Sequence, residues 1–244
     1  VMELKLLLKK ICEINNLALE MPQQASTLIN NRIKEWRIHD KTIPNLHLDL
    51  ASHLLSIIIF LIDKNPIEVL SFENKNKKNL FVENAHVWLK FKKHHGTLWF
   101  SKNATGRRND LKIEIFGSKG SVCWSHTDLE NLKFFDNKGN IKIINRLSTD
   151  TIFLKNKKLF TYSPGHPSGF LESFINVYNE IYSKYYNQKH LPIFLDLKKN
   201  LDIIQRIVKS KISYRIHIFS QNGIRIIRSN KMLNFFSKLK YFYF

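Results

Sequence analysis

Cysteine is almost missing from this sequence: Cys12 and Cys123 are the only two in 244 residues. Two thiols build neither a disulfide framework nor a thiolate metal site, which suits a reducing compartment such as the cytoplasm. Long apolar runs are missing too. The longest, Leu54 to Ile62, is too short to span a bilayer. From Val1 to Leu8 only a few apolar residues precede Lys9-Lys10, without the h-region and cleavage site of a signal peptide. No G-x-G-x-x-G follows a strand pattern, and there is no Walker loop, H-E-x-x-H or G-x-S-x-G. Gly117-Ser118-Lys119-Gly120 has the wrong spacing for a phosphate cradle and lies between strand patterns, so it reads as a hairpin turn. The ten histidines hold one adjacent pair, His94-His95. Neighbours on a strand point to opposite faces, so that pair cannot chelate one ion.

Acidic residues are few. Twenty Asp and Glu against 39 Lys and Arg leave a formal charge of +19. Such a balance raises nucleic acid or an anionic membrane as partners. Two facts weaken that inference. The lysines are spread along the chain, and Lys, Asn, Ile and Phe are enriched together, as in a composition biased throughout. An anionic small substrate, such as a phosphorylated or nucleotide-linked sugar, fits the charge equally well.

What is present is a sizeable core and a regular order of elements. At 43% hydrophobic, the chain suffices for one substantial domain. Helical spacing covers Met2 to Ile11, and a strand pattern follows near Ile14 to Met21. A helix is expected to end near Ile62. Then come strands at Pro66 to Glu73, Asn84 to Lys92, Gly96 to Lys102, Leu111 to Phe116 and Ser121 to Ser125. A hairpin follows around Asn137-Lys138-Gly139. Short turns impose antiparallel pairing. Helices over Phe170 to Tyr186 and Leu195 to Ser210 close the series. The expected fold class is therefore α+β: a large, mostly antiparallel open sheet with helices on one face.

The chemistry-bearing feature is Asp49-Leu50-Ala51-Ser52-His53. Four residues is about one helical turn, so Asp49 and His53 share a face. Pro44 blocks helix upstream, which puts the pair in the first turns, where the dipole favours a carboxylate. A histidine beside a carboxylate can orient a substrate hydroxyl and exchange its proton. The plain alternative is that Asp49 caps the helix and His53 is a satisfied core histidine. Arg37, after Trp36, can clamp a phosphate or carboxylate, or be a surface arginine beside a packed tryptophan. His166 lies in Gly165-His166-Pro167, a stiff segment that also reads as a helix-entry turn. Arg107-Arg108-Asn109 can contact an anion, but reads more simply as a solvated loop.

Taken in order, several words resemble one family. They are Leu19-Glu20-Met21-Pro22-Gln23-Gln24, Glu35-Trp36-Arg37 and Ile43-Pro44-Asn45-Leu46-His47-Leu48-Asp49-Leu50-Ala51-Ser52-His53. Then come the run from Gly106 to Trp124 and Gly165-His166-Pro167-Ser168-Gly169-Phe170-Leu171-Glu172-Ser173-Phe174. In this order and spacing the chain is similar to the C-terminal half of the Gfo/Idh/MocA oxidoreductases, over roughly residues 5–215. The resemblance implies an NAD- or NADP-dependent dehydrogenase acting on sugars or cyclitols, of use in sugar metabolism or polysaccharide biosynthesis. The family's Asp-x-x-x-His motif falls on Asp49 and His53. By that analogy His53 is the acid/base, Asp49 holds the substrate or the histidine, and Trp36, Arg37 and His166 line the pocket.

The resemblance also divides the chain. Residues 1–16 match the end of an inter-domain linker, 17–215 the C-terminal domain, and 216–244 form a basic, aromatic tail. The N-terminal Rossmann half and its Glu-Lys-Pro motif are expected to be absent, so no dinucleotide should bind tightly to this chain alone. Ala51 stands where many members have glycine, so its methyl either crowds the nicotinamide or is harmless. The expected partners are a sugar, sugar-phosphate or nucleotide-sugar, a second copy packed on the sheet face, and a separate Rossmann-domain chain. Trp88, Trp99 and Phe100 are candidates for that face. The rival readings are a non-catalytic sugar-binding or oligomerisation module, or a remnant, and then a basic nucleic-acid-binding protein.

Overall fold

The computed structural model describes residues 1–24, 40–77, 81–146, 148–151, 169–186 and 193–210. Its frame is an eight-stranded sheet in the order β2-β3-β4-β1-β5-β6-β7-β8. The strands are β1 (Ile14–Pro22), β2 (Glu68–Lys75), β3 (Val82–Lys90), β4 (His95–Ser101), β5 (Lys112–Gly117), β6 (Gly120–Ser125), β7 (Asp128–Asp136) and β8 (Ile141–Asn145). Every neighbouring pair is antiparallel except β1 and β4, which run parallel with Leu19 opposite Leu98. Short turns explain the antiparallel pairs. The parallel one joins strands far apart in sequence, as a crossover must.

Among the described residues four α-helices accompany the sheet: α1 (Met2–Ile11), α2 (Ser52–Ile62), α3 (Phe170–Tyr186) and α4 (Ile193–Lys209). In α1, Leu4, Leu7 and Ile11 recur at helical spacing and are buried. Helix α2 buries Leu54, Leu55, Ile58, Ile59 and Leu61, and ends where Asp63 turns left-handed and donates its N–H to the Ile59 carbonyl. Helix α4 buries Ile203, Ile204 and Ile207. Its Arg206 donates to the carbonyls of Pro66 and Ile67, stapling the helix to the entry of β2. These side chains share one core with Leu17, Leu19, Val87, Leu98, Phe100, Ile113 and Ile115 of the sheet. The expected class, an α+β fold with a mostly antiparallel open sheet, is the one observed.

The turn Gly117-Ser118-Lys119-Gly120 joins β5 to β6, as the spacing suggested. It also receives the end of α1: Ser118 and Lys119 donate backbone N–H groups to the carbonyls of Glu13 and Ile11. A Cβ on Gly117 would collide with the Ile11 carbonyl oxygen, so only glycine allows this approach.

The other sheet face carries no helix among the described residues. Trp88, 62% exposed, lies there opposite Thr97, and Trp99 lies opposite His86 and Glu20. Phe72, Phe116, Ile141 and Ile143 are also exposed. Phe100 does not belong to this face: it is fully buried under the helices. Side chains alternate along a strand, so Phe100 and Trp99 cannot share a side. Among the described residues no helix is long and apolar enough to cross a membrane.

Candidate active site

The helix that carries Asp49 and His53 begins at Asn45, directly after Pro44, as the sequence suggests. Asp40 sets its start, accepting from the Asn45 N–H at 2.9 Å through Oδ1 and from the Val82 N–H at 2.7 Å through Oδ2. One carboxylate thus caps the helix and ties it to the start of β3. The N–H groups of His47 and Leu48 then reach the Pro44 carbonyl. Asp49 lies beyond these first donors, so it is neither the cap nor a ligand of the free helix terminus.

Residues His47–Ala51 form a π-helical turn, closed by the Ser52 N–H donating to the His47 carbonyl, and α2 continues from Ser52. The wider turn inserts one extra residue into the helix, a distortion common at functional positions. Its inner side is packed tightly. Leu50 and Ala51 are buried in the core, and the His47 ring meets Phe100 edge-on at 5.3 Å. His47 is 0% exposed and its Nε2 lies 3.0 Å from Oε1 of Glu73, a β2 carboxylate only 5% exposed. Ala51 therefore points inward, and its methyl is absorbed by the core, not offered to a ligand.

The outer side of the turn holds the predicted pair. Asp49 is half-buried and pairs with Lys102 at the end of β4, Oδ2 to Nζ 2.6 Å. His53, one turn on, is exposed, and no hydrogen bond to its ring is recorded among the described residues. It is not a core histidine; that place belongs to His47. Ser52 between them is turned back onto the helix, its Oγ donating to the Leu48 carbonyl at 2.7 Å. The arrangement presents a free imidazole beside a carboxylate held by a lysine, on a helix whose other side is fixed in the core. It can accept a proton at His53 and a hydrogen bond at Asp49.

Trp36, Arg37 and His166 lie outside the described residues. Among the described residues no group of three or more His, Cys, Asp or Glu could hold a metal. Lys102, Asp40 and the His47–Glu73 pair are additions that the sequence reading missed. A signal for Lys102 existed: it follows Leu98 and Phe100 at period two, which puts a lysine on the helix-covered side.

Comparison with known proteins identifies the domain and its fold. The family described as the oxidoreductase family, C-terminal alpha/beta domain, matches residues 22–192. No curated protein matches the chain. Among solved structures, an oxidoreductase from Sinorhizobium meliloti superposes with a TM-score of 0.71 at 20% identity, over 86% of this chain and 58% of its own. An inositol dehydrogenase homolog from Azotobacter vinelandii, complexed with NADH and myo-inositol, gives 0.71 at 16% identity, over 86% of this chain and 58% of its own. A levoglucosan dehydrogenase in complex with NADH and L-sorbose gives 0.71 at 17% identity, over 84% of this chain and 59% of its own. At these identities the likeness is one of fold, and the chain spans under two thirds of the length of each of these structures.

Proposed function

The chain belongs to the Gfo/Idh/MocA oxidoreductase family, as its C-terminal α/β domain, and on that premise we propose that it is the substrate-binding half of an NAD- or NADP-dependent dehydrogenase. The substrate class is a sugar, sugar-phosphate, nucleotide-sugar or cyclitol, oxidised at a secondary alcohol in the cytoplasm. The observation that carries this reading is the exposed His53 next to Asp49 on the π-helical turn, with the opposite side of that turn locked in the core. The sequence offers no glycine-rich phosphate cradle, so the dinucleotide is assigned to a separate Rossmann half. That cofactor supplies the hydride acceptor. His53 takes the proton of the reacting hydroxyl during oxidation and returns it during reduction. Asp49 accepts a hydrogen bond from the same or a neighbouring hydroxyl. Trp36, Arg37 and His166 complete the pocket, with Arg37 gripping any anionic group.

The open sheet face supports a second part of the proposal, a homo-oligomer. Trp88 and Trp99 flank a groove of about 280 Å³ there, and exposed apolar patches of this kind mark interfaces. Light scattering at micromolar concentration should give a dimer or tetramer; a monodisperse monomer counts against it.

The central test supplies a dinucleotide-binding half in trans or by fusion and follows reduced nicotinamide on a panel of sugars and polyols. Turnover should appear, and His53→Ala should lower kcat by about 10²–10⁴, the worth of a positioned acid/base. Asp49→Asn should cost less, since it keeps the shape and loses only the charge. Full turnover after His53→Ala would make His53 a bystander.

A further inference from the structure

Lys102 leaves the end of β4 on the helix-covered side of the sheet and reaches the rim of the π-helical turn. Its side chain is 12% exposed, against 36% for Asp49, and the two charged groups lie 2.6 Å apart. A lysine so far withdrawn from water gives up hydration and rotamer freedom that an ordinary surface lysine keeps. The carboxylate of Asp49 is a contact that helps offset those losses. The anchor is stiff. Residues 98 and 100 of the same strand are core side chains, and the Lys102 N–H donates to the Glu83 carbonyl at 2.8 Å.

Two consequences follow for the site. Oδ2 of Asp49 is occupied, which fixes the plane of the carboxylate and leaves Oδ1 to accept from a ligand. With its partner at Lys102, the carboxylate needs no bond from the exposed His53 ring, which is left to the ligand. Building on the dehydrogenase reading above, we propose that Lys102 is a positioning residue of the active site, holding Asp49 as an oriented acceptor for a substrate hydroxyl. The pair is neutral overall, so the acceptor suits the hydroxyl of a polyol and has no preference for a substrate ammonium.

The test has two arms. The first uses the chain alone, in a double-mutant cycle of Lys102→Met, Asp49→Asn and their combination, read by thermal unfolding. Each single change should lower Tm by about 2 °C, and the double should cost no more than the larger single. Additive losses would show that the two residues do not interact and would overturn the proposal whatever the enzyme does. The second arm uses the chain joined to a dinucleotide-binding half. Lys102→Met should lower kcat/KM about ten- to a hundredfold, mostly through KM, and Lys102→Arg should regain most of it. Coupling in the cycle with KM and kcat unchanged would leave Lys102 a structural salt bridge and refute the positioning role. A wild-type assembly that shows the coupling and never turns over would instead sink the dehydrogenase reading, and any role of Lys102 in turnover with it.

Discussion

Two pairs of ionisable side chains leave the same π-helical turn in opposite directions. His47 points inward to Glu73, and neither side chain is more than 5% exposed. Asp49 points outward to Lys102, where the carboxylate keeps about a third of its surface in water. A single residue, Leu48, lies between His47 and Asp49, yet the energetics of the two pairs differ in kind. Inside, there is no water to replace a lost partner, so breaking the pair strands a polar group in the core. At the rim, solvent can replace the partner on the Asp49 side, so the pair contributes less to stability and the carboxylate is open to a ligand. The turn is thus fixed from below and open to solvent from above.

The largest effect expected from this contrast is on the inner pair. Glu73→Ala leaves the buried His47 ring without its carboxylate. The loss should be about 3 kcal/mol, the upper cost of leaving a polar group unsatisfied in the core. Replacing both, His47→Leu with Glu73→Leu, should recover most of that loss, because a buried pair can be exchanged for apolar packing at little net cost. Urea unfolding measures both. A Glu73→Ala loss below 1 kcal/mol, no more than a rim pair costs, would erase the distinction between the two sides.

A smaller effect tests the same boundary without charge. Ala51 is fully buried on the inner side of the turn. Ala51→Gly removes one core methyl and adds backbone freedom within the helix, together about 1.5 kcal/mol. Because the methyl faces the core, KM and kcat of a completed enzyme should not move. A change in KM with stability intact would place this position on the ligand side instead.

Much of this was legible in the sequence where one short-range rule decides the outcome. The alternation of Val87 and Leu89 with Trp88 and Lys90 fixed both the strand and the outward face of Trp88. Asn137-Lys138-Gly139 marked a hairpin that β7 and β8 form. The placing of Phe100 beside Trp99 failed because hydrophobicity was allowed to override alternation. The start of the helix just after Pro44 was legible too, but what ties it down was not. Its cap is Asp40, four residues before Pro44, and the other oxygen of that carboxylate is spent on the Val82 N–H, a partner distant in sequence. The parallel pairing of β1 with β4 has the same character: no local signal specifies which strand a crossover returns to. Glu73 was hidden because Ser71 and Glu73, both facing the core, make the inner side of β2 read as polar.

The smallest expected effect compares two buried histidines. His47 has a carboxylate beside it. His94, after β3, is buried against the ring of Phe91 at 4.5 Å, and the charges near it are cations. Burial, then Lys64, then His95, push its pKa below the ordinary 6.5. A histidine with a depressed pKa is held neutral by the fold, so the unfolded chain binds its proton more readily. Stability from this residue is therefore fully present above about pH 6.5 and is lost as pH falls toward the lowered folded value. His94→Phe keeps the ring against Phe91 and removes the titration. Thermal melts from pH 7.5 down to pH 5 should show the wild-type chain losing stability faster than His94→Phe on the acid side, with the two parallel at neutral pH. Identical slopes would mean that His94 takes up its proton in place, and that a buried imidazole here needs no carboxylate partner.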